Sequence, residues 1–443
     1  MTLTVLADDQ IQTLLENLTP ADLEGFRNAL ASALNEYSAR REGKTSVHQP
    51  ERISVQSAAT GATTLFMPSC NSAGNGIKVI TLTSPSPTPS RNNNTSTTIP
   101  TAASTTTTNN EGDKDNTPIP PTGAIALFTP AGAPLGLLHA RTLTAFRTAL
   151  ASLCLVAARH WGQGGGGGGP QLRAATLVVF GGGAQAYWHV RLALLARGAE
   201  VRRVVFVTRR PGREEGRSGG GVGGGVGEEG KGKGRAEEVV GRFRHGIGED
   251  VKVREGWAGC EFDCVVKGEE GYDGKLAAAL VEADVVFCCT PSTEPLFDGR
   301  VWESEDGKKK GRLVVAIGSY TPEMREVPGE LIRRALVAGE REAGVVVVDT
   351  VEGALKEAGE LIEAGVKPEQ LVELGEVVMP QRTAPYQADG AKGQDTRDRL
   401  AQWLQTGNVI YKSVGLGLMD LSVGIHLKKY AQEKGVGTHV PGF

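Results

Sequence analysis

One stretch constrains the fold more than any other. The apolar run Thr176–Phe180 passes directly into Gly181-Gly182-Gly183-Ala184-Gln185-Ala186 and then into an apolar helical stretch through Val190–Leu195. A strand that ends in G-x-G-x-x-[GA] and opens a helix puts backbone N–H groups and the positive end of the helix where a pyrophosphate sits. With 60 glycines in 443 residues the pattern alone means little, since chance matches are expected. Its position after a strand gives it weight against the competing reading, a plain strand-to-helix turn. The glycines between 219 and 227 follow no strand end and precede charges, so they are assigned no phosphate role.

The surroundings of this turn read as alternating strands and helices. Apolar runs at Val204–Thr208, Val251–Val253, Val285–Cys289, Leu313–Ile317 and Val345–Asp349 are strand-like, with helical periodicity around Ala236–Phe243 and Lys275–Val281. Continuously apolar strands that alternate with helices predict a parallel sheet covered on both faces, hence a doubly wound α/β unit. Upstream, Thr19 and Pro20 precede a helix carrying Leu23, Phe26, Leu30, Ala33 and Leu34 on one face. Short strands are expected at Arg52–Gln56, Thr64–Met67, Gly76–Leu82 and Ala124–Phe128, and a second helix from about Thr142 to His160. The Ser/Thr/Pro/Asn-rich stretch 84–118, the glycine run 164–169 and the Gly-and-charge stretch 211–234 have little to bury, and are expected to be disordered or flexible insertions.

The end of the second strand of the unit bears on the cofactor. Val204–Val207 leads into Thr208-Arg209-Arg210 rather than into the acidic residue that would accept from a ribose 2′-hydroxyl. Two guanidiniums suit a 2′-phosphate, so NADP is favoured over NAD; the competing reading puts both arginines in a solvated loop. With 48 basic and 51 acidic residues the net charge is -3, so neither nucleic acid nor an anionic membrane is an expected partner. No run of about 18 apolar residues occurs, and the first residues lack a basic leader, which predicts a soluble, unexported chain. Six sparse cysteines fit a reducing compartment, the cytosol, and Cys260 with Cys264 lacks a second ligand pair for a metal.

Three cations stand out. Leu143, Phe146, Leu150, Leu153, Cys154 and Ala157 share a helix face, and Arg147 falls within that apolar stripe. A guanidinium there requires an anion, either an internal acid or a ligand, unless it snorkels to the helix start. Arg52 and Lys78, the latter between Ile77 and Val79, sit in short strands and taken singly read as surface charges.

The segments Gly76-Ile77-Lys78-Val79, Leu143 to Ala149, Gly181 to Gln185, Ala283 to Thr290, Ala316-Ile317-Gly318-Ser319 and Lys412 to Leu421 occur in the order found in the ornithine cyclodeaminase/mu-crystallin family, and the chain resembles that family over nearly all its length outside the insertions. The resemblance implies a Rossmann-type doubly wound sheet, residues 171–385, inserted in an α+β substrate-binding and dimerisation domain formed by residues 1–160 and 386–443 of a homodimer. It implies that Arg52, Lys78 and Arg147 grip a substrate carboxylate, with Val414 beside the substrate. Gly181, Gly183, Ala184, Gln185, Thr208, Arg209, Thr290, Ile317, Gly318 and Ser413 would line the cofactor, and Lys78 would be the catalytic proton donor. Asp420 matches a family position too, with a structural role at a helix end equally open.

One departure bears on the reaction. Where ornithine cyclodeaminases resemble one another in carrying an aspartate, the run Gly318-Ser319-Tyr320-Thr321-Pro322 offers Tyr320. Without that acid the expected activity is NADPH-dependent reduction of the C=N bond of an imino acid, or the reverse dehydrogenation. The alternatives are NAD-dependent cyclisation of ornithine to proline and ammonia, and non-catalytic binding of NADPH and a small carboxylate.

Overall fold

The computed structural model describes residues 2–42, 47–58, 60–82, 122–159, 175–209, 234–342, 346–378 and 391–443. Arg210 and the expected insertions at 84–118, 164–169 and 211–234 (Gly234 excepted) lie outside these residues.

The N-terminal strands are β1 (Thr2–Leu6), β2 (Ile53–Gln56), β3 (Thr63–Asn71), β4 (Gly74–Leu82), β5 (Thr122–Phe128) and β6 (Pro134–His139). The next eight are β7 (Ala175–Phe180), β8 (Val201–Arg209), β9 (Glu261–Lys267), β10 (Val285–Cys288), β11 (Leu313–Ala316), β12 (Val346–Val348), β13 (Leu371–Glu373) and β14 (Val409–Lys412), and the last is β15 (Thr438–Pro441). They form two sheets, a seven-stranded one in the order β15-β1-β6-β5-β4-β3-β2 and an eight-stranded one in the order β13-β12-β14-β11-β10-β7-β8-β9. In the first sheet only β1 and β6 run parallel. Every pairing in the second is parallel.

This is the doubly wound fold expected from the sequence, and its strands are buried on both faces: β7, β10, β11 and β14 carry no exposed residue. Strand order reverses at β7, whose neighbours are β8 on one side and β10 on the other. A crevice opens at such a switch point, outside the carboxyl ends of the strands.

Two sequence expectations are corrected. Val251–Val253 is not a strand: Glu249–Arg254 is helical, with Glu249 and Asp250 in its first turn and Lys252 and Arg254 in its last. Those charges suit the helix dipole, and three alternating residues are too few to outweigh them. The third strand of the unit is Glu261–Lys267 instead, with Phe262 and Val265 facing inward. The second concerns residues 386–443: β14 pairs with both β11 and β12 inside the parallel sheet, so part of that segment belongs to the doubly wound layer.

The helix Ala140–Ala158 joins the two layers. It packs against the helices Pro20–Ser38, Ala184–Arg197 and Gly417–Glu433, which explains why it is apolar on nearly every face. It is the one helix among the described residues long and apolar enough to cross a membrane, and it lies inside the core. Leu143, Phe146 and Leu150 are fully buried in it, each contributing about 1.5–3 kcal/mol. Pro20–Ser38 begins as anticipated: Asp22 N–H donates to Thr19 Oγ1 at 3.2 Å, and Thr19 N–H donates to Asp22 Oδ2 at 2.9 Å.

Candidate active site

At the glycine turn after β7, the backbone requires glycine at position 181. Gly181 has φ +118°, and a Cβ there would stand 3.1 Å from the Cys289 carbonyl oxygen and 3.2 Å from Thr290 Cγ2. Gly183 caps the helix Ala184–Arg197, and nothing lies within 4 Å of where its Cβ would be. A cavity of about 530 Å³ at the switch point is lined by Gly181, Gly182, Thr208, Arg209, Lys267 and Thr290 among others. Gln185 Oε1 and Thr290 Oγ1 are buried without a hydrogen-bond partner. Buried polar atoms left unpaired are what an absent polar ligand would satisfy, so these residues fit a dinucleotide.

The far end of this cavity is cationic. Arg209 on β8 and Lys267 on β9 are register partners, so their side chains leave the sheet together. Arg209 Nη2 reaches Ser292 Oγ at 3.5 Å, and among the described residues neither cation is ion-paired. The sequence gives no sign of Lys267 here, because its spacing predicts the third strand at Val251–Val253 and not at Glu261–Lys267.

Behind the cavity, Glu326 ties two loops together. Its Oε1 accepts from Thr290 N–H at 2.8 Å, and its Oε2 from the N–H groups of Gly318 at 2.6 Å and Ser319 at 3.2 Å. Burial pushes its carboxyl up to about 8. The backbone N–H of Gly318 is thereby occupied, and Ile317 N–H donates to Cys288 O; neither residue is among those lining the cavity. Lys412 Nζ donates to Ser319 Oγ, which itself donates to Glu360 Oε1 at 2.7 Å, and this network is entirely buried.

The second cavity, of about 520 Å³, lies between the two sheets and is lined by Arg52, Met67, Tyr320, Glu357, Val414 and Gly415 among others. Arg52 pairs with Glu357 and donates from Nη2 to the Val414 carbonyl at 3.3 Å. Burial raises the Glu357 carboxyl above its usual value, with Arg52 opposing. Lys78 and Arg147 are buried one layer deeper, where both meet one carboxylate: Lys78 Nζ lies 3.3 Å from each oxygen of Asp420, and Arg147 Nε lies 3.3 Å from Oδ1. Gly415 has φ +92°, a backbone that favours glycine, and a Cβ there would come 3.3 Å from Arg147 Nη2.

Arg52 thus has its own acid while Lys78 and Arg147 share one, which answers the open question about Arg147: the anion its helix face requires is Asp420. That residue sits in the first turn of the helix Gly417–Glu433 and is fully buried. Desolvation pulls the Lys78 ammonium down to about 8, with Asp420 opposing and Arg147 reinforcing the shift.

The loop after β14 is held by Asp349, which the sequence marked only as a strand end. Ser413 Oγ donates to Asp349 Oδ2 at 2.7 Å, Gly415 N–H to Oδ2 at 2.7 Å and Val414 N–H to Oδ1 at 3.2 Å. Ser413 therefore acts by fixing the loop, its hydroxyl being committed to Asp349. Among the described residues no group of three His, Cys, Asp or Glu side chains is placed to hold a metal ion.

Fold and site together define a doubly wound α/β protein with a dinucleotide-type turn and a cation-bearing cavity against a second sheet. No family model matches the chain. A Delta(1)-pyrroline-2-carboxylate reductase of Bacillus cereus is 28% identical over 167 residues, 37% of this chain and 42% of that protein. The ketimine reductase mu-crystallin of Mus musculus is 32% identical over 161 residues, 36% of this chain and 40% of that protein. The matched segments thus span about two-fifths of those proteins' length. The structure of the Thermococcus litoralis Delta(1)-pyrroline-2-carboxylate reductase in complex with NADH and L-proline shares the fold at a TM-score of 0.60 and 18% identity, over 99% of this chain and 100% of that one. A probable ornithine cyclodeaminase from Bordetella pertussis does so at 0.56 and 22% identity, over 98% of each. These relatives bear out the resemblance to the ornithine cyclodeaminase/mu-crystallin family.

Proposed function

We propose that this protein is an NADPH-dependent enzyme that reduces the C=N bond of an imino acid, or runs the reverse dehydrogenation of the amino acid. The observation that carries this reading is the deep pair Lys78 and Arg147 sharing the single carboxylate of Asp420, beside a cavity edged by Arg52 and next to the dinucleotide-type crevice. Two cations on one buried carboxylate leave one positive charge to be met by a ligand. A substrate carboxylate held by Arg52, Lys78 and Arg147, with Val414 alongside, fixes the adjacent imine carbon relative to the crevice. When bound, the nicotinamide cofactor supplies the hydride. Gly181, Gly183, Ala184 and Gln185 would hold its pyrophosphate side, Thr208 and Arg209 its adenosine end, and Thr290, Ile317, Gly318 and Ser413 would flank the remainder.

The nitrogen of the reduced bond needs a proton, and Lys78 is the donor in this scheme. With its ammonium drawn down to about 8, it gives up a proton near neutrality far more readily than an exposed lysine. Kinship to reductases of pyrroline-2-carboxylate and ketimines supports the same chemistry. The protein would work as a cytosolic homodimer on a small imino or amino acid. Support for the dimer comes from the edge strand β2, where Ile53 and Val55 are 59% and 52% exposed.

A second reading, cyclisation of ornithine with loss of ammonia, draws on Glu357. It is a carboxylate in the same cavity as Tyr320, where the sequence alone offered none. The deciding experiment follows NADPH, and separately NADH, at the nicotinamide absorbance with purified protein and piperideine-2-carboxylate. Consumption with NADPH preferred is expected; no consumption, with ammonia released from ornithine on adding NAD, would transfer the assignment to the lyase.

A further inference from the structure

We propose that Glu357 makes the substrate cavity selective for substrates bearing one carboxylate and excludes those bearing two. This rests on the reading of the cavity as an imino-acid site and adds the charge class of its substrate. The argument is one of charge balance. Arg52 has its own acid, Glu357, and Lys356 has Glu51 at 2.7 Å. Glu352 reaches Arg40 at 3.5 Å, but Arg40 is already held by Glu373 at 3.0 Å. Among the described residues around the cavity, only the deep end carries a surplus cation, because Lys78 and Arg147 share Asp420.

One incoming carboxylate takes up that surplus. Arg52, with five N–H donors, can lend some of them to it while keeping Glu357. A second carboxylate on the same substrate would find no unshared cation. It would instead meet Glu357, which is only 22% exposed and whose charged form is already disfavoured by burial, in a cavity that Glu352 and Glu51 also line. Like charges close together in a partly desolvated cavity repel strongly, and such repulsion is how a site rejects a near-isosteric competitor. Neutralising Glu357 releases Arg52 as a second unshared cation, so the same substitution that removes the repulsion also supplies a partner.

The test compares piperideine-2-carboxylate with piperideine-2,6-dicarboxylate, which share a ring and differ by one carboxylate. The wild-type protein should favour the monocarboxylate in kcat/KM by about a hundredfold. Glu357→Gln should raise kcat/KM for the dicarboxylate by about tenfold and shrink the ratio accordingly, while Glu357→Asp should keep the ratio within about threefold of wild type. A wild-type protein that takes both substrates alike, or a Glu357→Gln variant with an unaltered ratio, overturns the proposal. If neither compound is reduced, it is the reductase reading that fails, and selectivity is read from binding. In that case pyrrole-2-carboxylate should raise Tm and pyrrole-2,5-dicarboxylate should not until Glu357→Gln is introduced. Equal shifts in the wild-type protein would end the proposal on that arm too.

Discussion

The two cavities differ in how their positive charge is held. At the end of the crevice, Arg209 and Lys267 stand side by side with no ion pair among the described residues. At the cavity between the sheets, Arg52 on its edge and Lys78 and Arg147 one layer deeper are already matched to Glu357 or Asp420. Burial is the reason for the contrast. The register of β8 and β9 carries Arg209 and Lys267 past the covered part of the sheet, where water screens them; both residues are exposed. Lys78 and Arg147 are 3% and 4% exposed, and a charge so buried must be paired within the fold. The first arrangement can take a ligand carrying two or more charges, such as a phosphate. The second has room for a single one.

Substitutions should separate the two arrangements. Lys78→Ala should lower kcat/KM for imine reduction by about a thousandfold, the range of a lost acid catalyst, while NADPH affinity measured by fluorescence stays within about twofold. Turnover at the wild-type rate would remove Lys78 from the chemistry. Asp420→Asn leaves two buried cations without their carboxylate and should cost about 3–5 kcal/mol in urea unfolding. A loss below about 1 kcal/mol would mean that the deep cations do not depend on Asp420.

Effects at the crevice should be smaller and confined to cofactor choice. Arg209→Ala and Lys267→Ala should each reduce the NADPH-to-NADH ratio in kcat/KM by about tenfold, whereas Asp420→Asn should leave the affinity ratio for the two cofactors alone. An unchanged ratio in both crevice variants would assign those cations to the solvated surface. The gentlest probe is pH. Because burial brings Lys78 from 10.5 down to about 8, its acid form is present below that pH and lost above it. Reduction should therefore be level near pH 7 and fall by about tenfold per unit well above pH 8. A rate flat to pH 10 would show that the proton comes from elsewhere.

Much of the framework was legible locally. Thr176–Phe180 with its glycine turn announced the doubly wound sheet, and Thr19 with Pro20 announced the first long helix, because strand apolarity, positive φ and helix-start signals act within a few residues. Arg147 was visible as an anomaly because helical periodicity put it on an apolar face. Its partner was not: Asp420 lies 273 residues away, and the separations from Lys78 to Asp420 and from Arg52 to Glu357 are 342 and 305 residues. Glu326 and Asp349 were hidden for a related reason. Each accepts backbone N–H groups from other loops, and a carboxylate in a sequence gives no sign of which amides it will face. The strand at 251–253 was misjudged because three alternating residues support either period, and the charges around them favoured a helix.

The sequence by itself therefore determined the layer architecture, the turn that suits a dinucleotide and the presence of cations where apolar residues were due, since these depend on periodicity and on residue types at fixed short spacing. Tertiary structure alone decided which acid answers each cation and how many charges the substrate cavity has left to offer. It also decided that Arg209 and Lys267 emerge together. Those outcomes follow from burial and from contacts between residues hundreds of positions apart, which strand register and helix packing bring together.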